Sequence, residues 1–174
     1  MVSFKEVKPR SQWVKRVYLH ALLWVTGRAL QAAARVDSDI QADLATMPRE
    51  YSFCLTAFPS GPSMVMAKTS QGGINYLGHG PRRVDLTLSL KSLDHFFQLF
   101  TFRENTPTAT ARDRLFTSGD VPHTCAVVRI LDRVQVYLLP RPIAQLAVKR
   151  YPRWSLKRRT LDRARIYLGT LLGI

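Results

Sequence analysis

Cysteine is nearly absent: Cys54 and Cys125 are the only two in 174 residues, and they form no CxxC pair. That excludes a disulfide-stapled scaffold and a thiolate zinc site, and makes a reducing cytosol the simplest setting. Acidic residues are also scarce, 12 against 26 Lys and Arg, so the formal net charge is +14. Such an excess favours a negatively charged partner, either anionic lipid or nucleic acid, and does not by itself choose between them. A long uninterrupted apolar run is missing too. In VYLHALLWVTGRALQAAA (17–34), His20 and Arg28 break the roughly 20-residue apolar stretch that a membrane span needs. The same stretch follows Lys5, Lys8, Arg10, Lys15 and Arg16 and superficially resembles a signal peptide, but the expectation is a helix that stays with the protein.

Signatures of catalysis are lacking as well. There is no P-loop, dinucleotide fingerprint, nucleophile elbow or H-E-x-x-H helix. Gly78-His79-Gly80 lacks the third glycine and the following helix of a nucleotide site, so it reads as a loop. His20, His79, His95 and His123 have no metal-ligand spacing and read as surface or capping histidines. Asp37, Asp39 and Asp43 cluster, but at a helix start, where carboxylates favour the dipole. No catalytic residue, metal or cofactor is expected, and the chain is not expected to be an enzyme.

What is present is an ordinary globular composition, 46% hydrophobic and 22% charged, in a length that suits one domain with terminal additions. From Ser11 to Arg35, Val14, Val17, Tyr18, Ala21, Leu22, Val25 and Ala29 recur at helical spacing, which predicts an amphipathic helix. A second helix is expected to start at Ser38, with Gln41 at capping-box spacing, and to stop before Pro48. Beyond Pro48, YSFCLTAF, SMVMAKT and INYLG alternate with the turn signals PSGP and QGG and predict an antiparallel meander. Val84, Leu86, Leu88 and Leu90 then alternate with polar residues, as in a strand of a sheet covered on one side.

SLDHFFQLFTF predicts a helix capped by Ser92, with Asp94 in its first turn. After Pro107 a short helical segment leads to a last strand, Leu115 to Ser118, and Gly119-Asp120 turns into a helix running from about Pro122 to Leu139. Gly119 can supply the sharp turn, and Asp120 can accept the orphan helix N–H groups. Arg114 is expected to pair with Asp85 or Asp113 on the surface, the alternative being a lipid headgroup at a cavity mouth. The segment KRYPRWSLKRRTLDRARIYLGTLLGI carries eight Lys or Arg against Asp162, together with an apolar stripe of Leu161, Ala164, Leu168, Leu171 and Leu172. A basic amphipathic helix with Trp154 near its start suits an anionic membrane interface. That stripe argues against a nucleic-acid groove unless it docks on the protein itself.

The stretch VDLTLSLKSLDHFFQLF, followed by Pro107, RLFTSGD and an apolar helix, resembles the lipid-binding domain of the sterol carrier protein type 2 family over about Ser52 to Pro140. Phe102 and Arg103 replace the family's common Gly, and Arg112 and Asp113 stand where relatives carry aromatic or amide residues. The resemblance implies an α+β fold with a mainly antiparallel five-stranded sheet covered by helices, enclosing an apolar tunnel for lipids. Its bacterial relatives with added terminal helices include accessory proteins of ubiquinone biosynthesis, a likeness of layout.

The domain organisation that follows is a helical segment at 1–47, a lipid-binding domain at 48–142 and a basic amphipathic helix at 143–174. The expected function is non-catalytic carriage of an acyl lipid, sterol-like molecule or isoprenoid quinone intermediate, in the cytoplasm and peripherally on the inner membrane. The alternatives are an accessory factor presenting ubiquinone precursors to partner enzymes, and a basic RNA- or DNA-binding module. The expected lining is Phe53, Leu55, Met64, Met66, Tyr76, Leu86, Leu88, Phe96, Phe97, Phe100, Phe116, Leu131 and Val134; for each, the competing reading is plain core filling. The expected membrane-binding set is Trp154, Lys157, Arg158, Arg159, Arg163 and Arg165. Carriage in this form requires a hollow interior.

Overall fold

The computed structural model describes residues 12–80, 82–101, 103–139 and 156–172; side chains of 156–160 are not among those described. Two helices come first, α1 (Trp13–Val36) and α2 (Ser38–Ala45), then three strands, β1 (Ser52–Ala57), β2 (Ser63–Lys68) and β3 (Ile74–Gly78). The chain continues through β4 (Leu86–Leu90), α3 (Leu93–Phe100), α4 (Thr106–Ala111), β5 (Leu115–Ser118) and α5 (Val121–Leu138). The last described helix is α6 (Leu156–Leu172).

The five strands form one sheet in the order β3-β2-β1-β4-β5. The β1–β2, β2–β3 and β4–β5 pairs are antiparallel, and β1–β4 is parallel. The fold is α+β, with the meander that the turn signals imply. Registers such as Phe53 opposite Met66 and Leu86, and Leu55 opposite Met64 and Leu88, line the large apolar side chains along one face. Helices cover that face, and Leu86, Leu88 and Leu90 are buried on it. Phe116 pairs with Ser89, out of phase with those leucines, so it lies on the opposite face, edge-on to the exposed Phe58. Its expected place in the lining is therefore corrected by strand parity: one residue along a strand changes the face.

The first helix departs from expectation in a useful way. Its packed stripe is Leu19, Leu23, Thr26, Leu30 and Ala33; of the expected apolar face Ala29 is buried and Leu22 and Val25 half-buried, whereas Val14, Val17, Tyr18 and Ala21 are exposed together with Trp13 and Trp24. α1 is apolar on two faces, and the expected stripe meets the core only in its second half, through Leu22 and Ala29.

The elbow between α1 and α2 is built on Asp37, which is fully buried. Its carboxylate accepts the backbone N–H of Asp39 (2.8 Å) and Ile40 (3.4 Å), so Asp37 and not Ser38 caps α2. Gln41 turns the other way and donates to Ala34 O and Arg35 O at the end of α1. From α5, Tyr137 donates its hydroxyl to Asp37 at 2.7 Å, Arg133 reaches both Asp37 (3.5 Å) and Asp39 (2.6 Å), and Arg129 pairs with Asp43 at 2.7 Å. The acidic cluster thus clasps α5 to the helical elbow. Replacing Asp37 by Ala leaves a buried hydroxyl and a cap unpaired, and should cost about 3 kcal/mol in urea unfolding. A loss below about 1 kcal/mol would show that the clasp does not hold α5.

Candidate functional site

The turn into α5 sets the wall of the site. Gly119 has φ +138°, and a Cβ there would lie 2.8 Å from Asp85 O and from Leu86 Cδ1, so the turn needs glycine in both conformation and space. Asp120 precedes α5 but makes no side-chain cap bond; its carboxylate lies 2.8 Å from His123 Nδ1 instead. From this start α5 lays two stripes on the sheet. Val127, Ile130, Val134 and Tyr137 are buried, and Val128, Leu131, Asp132 and Gln135 face a cleft beside them.

The cleft lies between the sheet and the short helices α3 and α4. Leu55, Leu88 and Leu115 form its floor, Leu99, Phe100 and Thr106 its cover, and the α5 stripe its side. Space for the centre of a water molecule amounts to about 20 Å³, room for about one water and not for an alkyl tail. Among the described residues, the lining expected from the sequence therefore meets a narrow cleft here and not a hollow wide enough for an alkyl tail. Of the expected lining, Leu55, Leu88, Phe100 and Leu131 meet there. Phe53, Met64, Met66, Leu86, Phe96 and Val134 are buried core residues outside it, Tyr76 packs beneath Gly27, and Phe97 meets Tyr18 with ring centroids 5.5 Å apart. For these, core filling is what the geometry displays.

A latch holds the cover. Glu104, buried between α3 and α4, accepts Arg114 Nη1 on both oxygens (3.0 Å each) and Arg112 Nη1 at 3.1 Å. Arg114 also donates to Gln98 of α3 at 3.1 Å. Arg114 is thus neither a headgroup ligand nor a partner of Asp85 or Asp113. Asp85 accepts the N–H and hydroxyl of Ser52, which depress its carboxyl below the usual range, and Asp113 pairs with Lys91. At the opposite end of the cover, Ser92 caps α3 as expected, and Asp94 pairs with Lys15 of α1.

One residue that the apolar pattern passed over is Asp132. It lines the cleft without a hydrogen bond or ion pair among the described residues, and burial pushes its carboxyl up to about 6. The spacing 128, 131, 132, 135 is itself helical and marks a second face of α5. It was legible in principle, but its polar members hid it among solvent positions.

Of the expected membrane residues, Trp154 lies outside the described residues, and Lys157, Arg158 and Arg159 lie in α6 with side chains that are not described. Arg165 is exposed. Arg163 is occupied within the fold, donating to Val136 O at 2.8 Å and Leu139 O at 2.6 Å, and Tyr167 donates to Tyr137 O and Leu138 O. These bonds satisfy orphan carbonyls at the end of α5. Among the described residues no three His, Cys, Asp or Glu side chains gather as a metal site. His79 instead bonds Ser63 O at 2.6 Å and lies edge-on to His20.

Because Asp132 has a higher folded than unfolded pKa, the folded state binds the extra proton between about pH 4 and pH 6, and stability falls as pH rises through that window. Asp132→Asn should therefore gain about 1–2 kcal/mol at pH 7.5, with the gain vanishing near pH 3.5, in paired denaturation curves. An Asn variant less stable than the parent at pH 7.5 would mean the carboxylate has a partner.

No family model matches the chain, and no curated protein matches it. Solved structures do. A UbiJ-SCP2 ubiquinone synthesis protein is 14% identical over 74% of this chain and 97% of its own, with a TM-score of 0.44. Sterol carrier protein 2 from Yarrowia lipolytica, in its apo form, is 18% identical over 65% of this chain and 88% of its own, with a TM-score of 0.46. The sterol carrier protein domain 2 of Helicoverpa armigera is 11% identical over 74% of this chain and 94% of its own, with a TM-score of 0.43.

Proposed function

We propose that this chain is a non-catalytic lipid-handling protein. It docks on an anionic membrane through the outward faces of α1 and α6, and takes an apolar molecule into the cleft under α3 and α4. The observation that carries the reading is the orientation of α6. Leu161, Leu168, Leu171 and Leu172 are 57, 58, 80 and 68% exposed, while Ile166 and Thr170 turn inward against the body of the protein. A surface helix ordinarily buries its leucine stripe; here the stripe at i, i+7, i+10 and i+11 is left to solvent. The packed neighbour α1 adds the exposed Trp13, Val14, Val17 and Trp24.

Charge supports a lipid surface as the occupant. Basic residues near an anionic bilayer contribute about 1 kcal/mol each, and the segment from Lys149 onward carries eight against Asp162. A nucleic-acid groove has no use for the leucines. Among the described residues no helix is long and apolar enough to cross a membrane. Leucine and tryptophan stripes instead suit a helix lying in the interface.

Uptake into the cleft requires α3 and α4 to move, because the closed space is too small. The energies permit it. For a molecule taken up from water, burying about a dozen methylenes contributes about 10 kcal/mol, against about 3–5 kcal/mol for breaking the buried Glu104 pairing. The cleft's described polar lining, one carboxylate, one amide and one hydroxyl, suits holding a guest. A finer reading, presentation of isoprenoid quinone precursors to biosynthetic enzymes, rests on the sequence resemblance. It predicts a quinone precursor co-purifying in native mass spectrometry.

In flotation assays the protein should bind vesicles containing phosphatidylglycerol and not those of phosphatidylcholine alone. Joint replacement of Leu168 and Leu171 by Asp, or of Arg158, Arg159 and Arg165 by Gln, should reduce binding at least tenfold with an unchanged circular dichroism spectrum. Undiminished binding by both variants would refute docking through α6. Glu104→Gln should speed amide exchange in α3 and α4 selectively; uniform acceleration across the sheet would show that the pairing supports the whole fold and not the cover.

A further inference from the structure

We propose that Asp132 is the selectivity determinant of the cleft: it admits apolar molecules whose polar end donates a hydrogen bond, and rejects those ending in a carboxylate. This rests on the cleft being a site of apolar uptake and goes on to name the kind of guest. The starting point is an imbalance among the carboxylates. Asp37, Asp39, Asp43, Asp94, Asp113 and Glu104 each have a cationic partner, and Asp85 has the serine at position 52. Among the described residues Asp132 has none, although this is a protein with 26 Lys and Arg.

Its surroundings are otherwise apolar. Leu55, Leu88, Leu99, Phe100, Leu115 and Leu131 line the same space, with Gln135 one turn along α5 and Thr106 on the cover as the other polar groups. An acceptor-only group held partly out of water with no donor destabilises the closed, empty cleft, and that cost disappears when a donor is brought to it. Hydroxyl and amine ends supply such a donor. A fatty carboxylate instead places a second negative charge beside the first in a medium that screens poorly. The protein's overall charge pulls the other way, since +14 attracts a fatty anion. A preference for the neutral alcohol therefore has to come from inside the cleft.

The test is a nuclear magnetic resonance titration of the full chain at pH 7.5 with 1-decanol and with decanoate, following the methyl groups of Leu115 and Leu131. The parent should bind decanol at least tenfold more tightly than decanoate. Asp132→Asn, which offers both a donor and an acceptor and removes the charge, should keep decanol binding and admit decanoate, shrinking the preference at least fivefold. Equal affinities in the parent, or a preference untouched by Asp132→Asn, overturn the role of Asp132 and leave apolar uptake standing. If neither probe perturbs the cleft, apolar uptake and the role given to Asp132 both fail, while vesicle docking is judged by flotation alone.

Discussion

The end of α5 is the point on which the architecture turns, and Asp37 holds it. A fully buried carboxylate must find donors for its lone pairs, and Asp37 finds them in two α2 amides, in Tyr137 and in Arg133. Tyr137 then passes the constraint on. Its side chain is tied to the elbow of the first two helices, while its own carbonyl and those of Val136, Leu138 and Leu139 receive Tyr167 and Arg163 of α6. With its last turns fixed from both sides, α5 presents Leu131, Asp132 and Gln135 to the cleft in one orientation.

This arrangement separates two kinds of charge. At the elbow and at the Glu104 end of the cover the carboxylates are matched by arginine, Arg129 and Arg133 at the first and Arg112 and Arg114 at the second. In the cleft, by contrast, Asp132 is left unmatched among the described residues. The α6 arginines divide similarly, Arg163 turned inward to carbonyls and Arg165 outward to solvent. A basic residue in an amphipathic segment therefore does not by itself reveal whether it serves the surface or the interior, because helix-end carbonyls also take arginine donors.

The apolar residues divide in the same manner. The core takes Leu19, Leu23 and Leu30 from α1 and Ile166 from α6, and leaves valine, tryptophan and leucine stripes of the same two helices outside. Among the described residues, Phe53, Met64 and Met66 on the covered face of the sheet are buried in the core and wall no tunnel. A lipid-handling role then depends on a cover that opens, and α3 and α4 suit it, being short helices held at one end by Lys15 and Asp94 and at the other by Glu104.

Strand alternation, turn residues and caps act over a few residues, so the sequence alone determined the element order, the antiparallel meander, the glycine at 119 and the Ser92 cap. Its heavy excess of base and the leucine stripe of α6 were equally legible, being sums and spacings. Three things were decided only by tertiary structure. Which of two apolar faces of α1 is buried depends on what packs beside it; which acid Arg114 meets depends on how a loop folds back to bring Glu104 within reach. Whether large apolar side chains enclose a space or fill it depends on distances between layers that no local pattern encodes. Asp132 belongs with these: whether a polar residue on a helix faces solvent or an apolar cleft depends on how the neighbouring elements close around it.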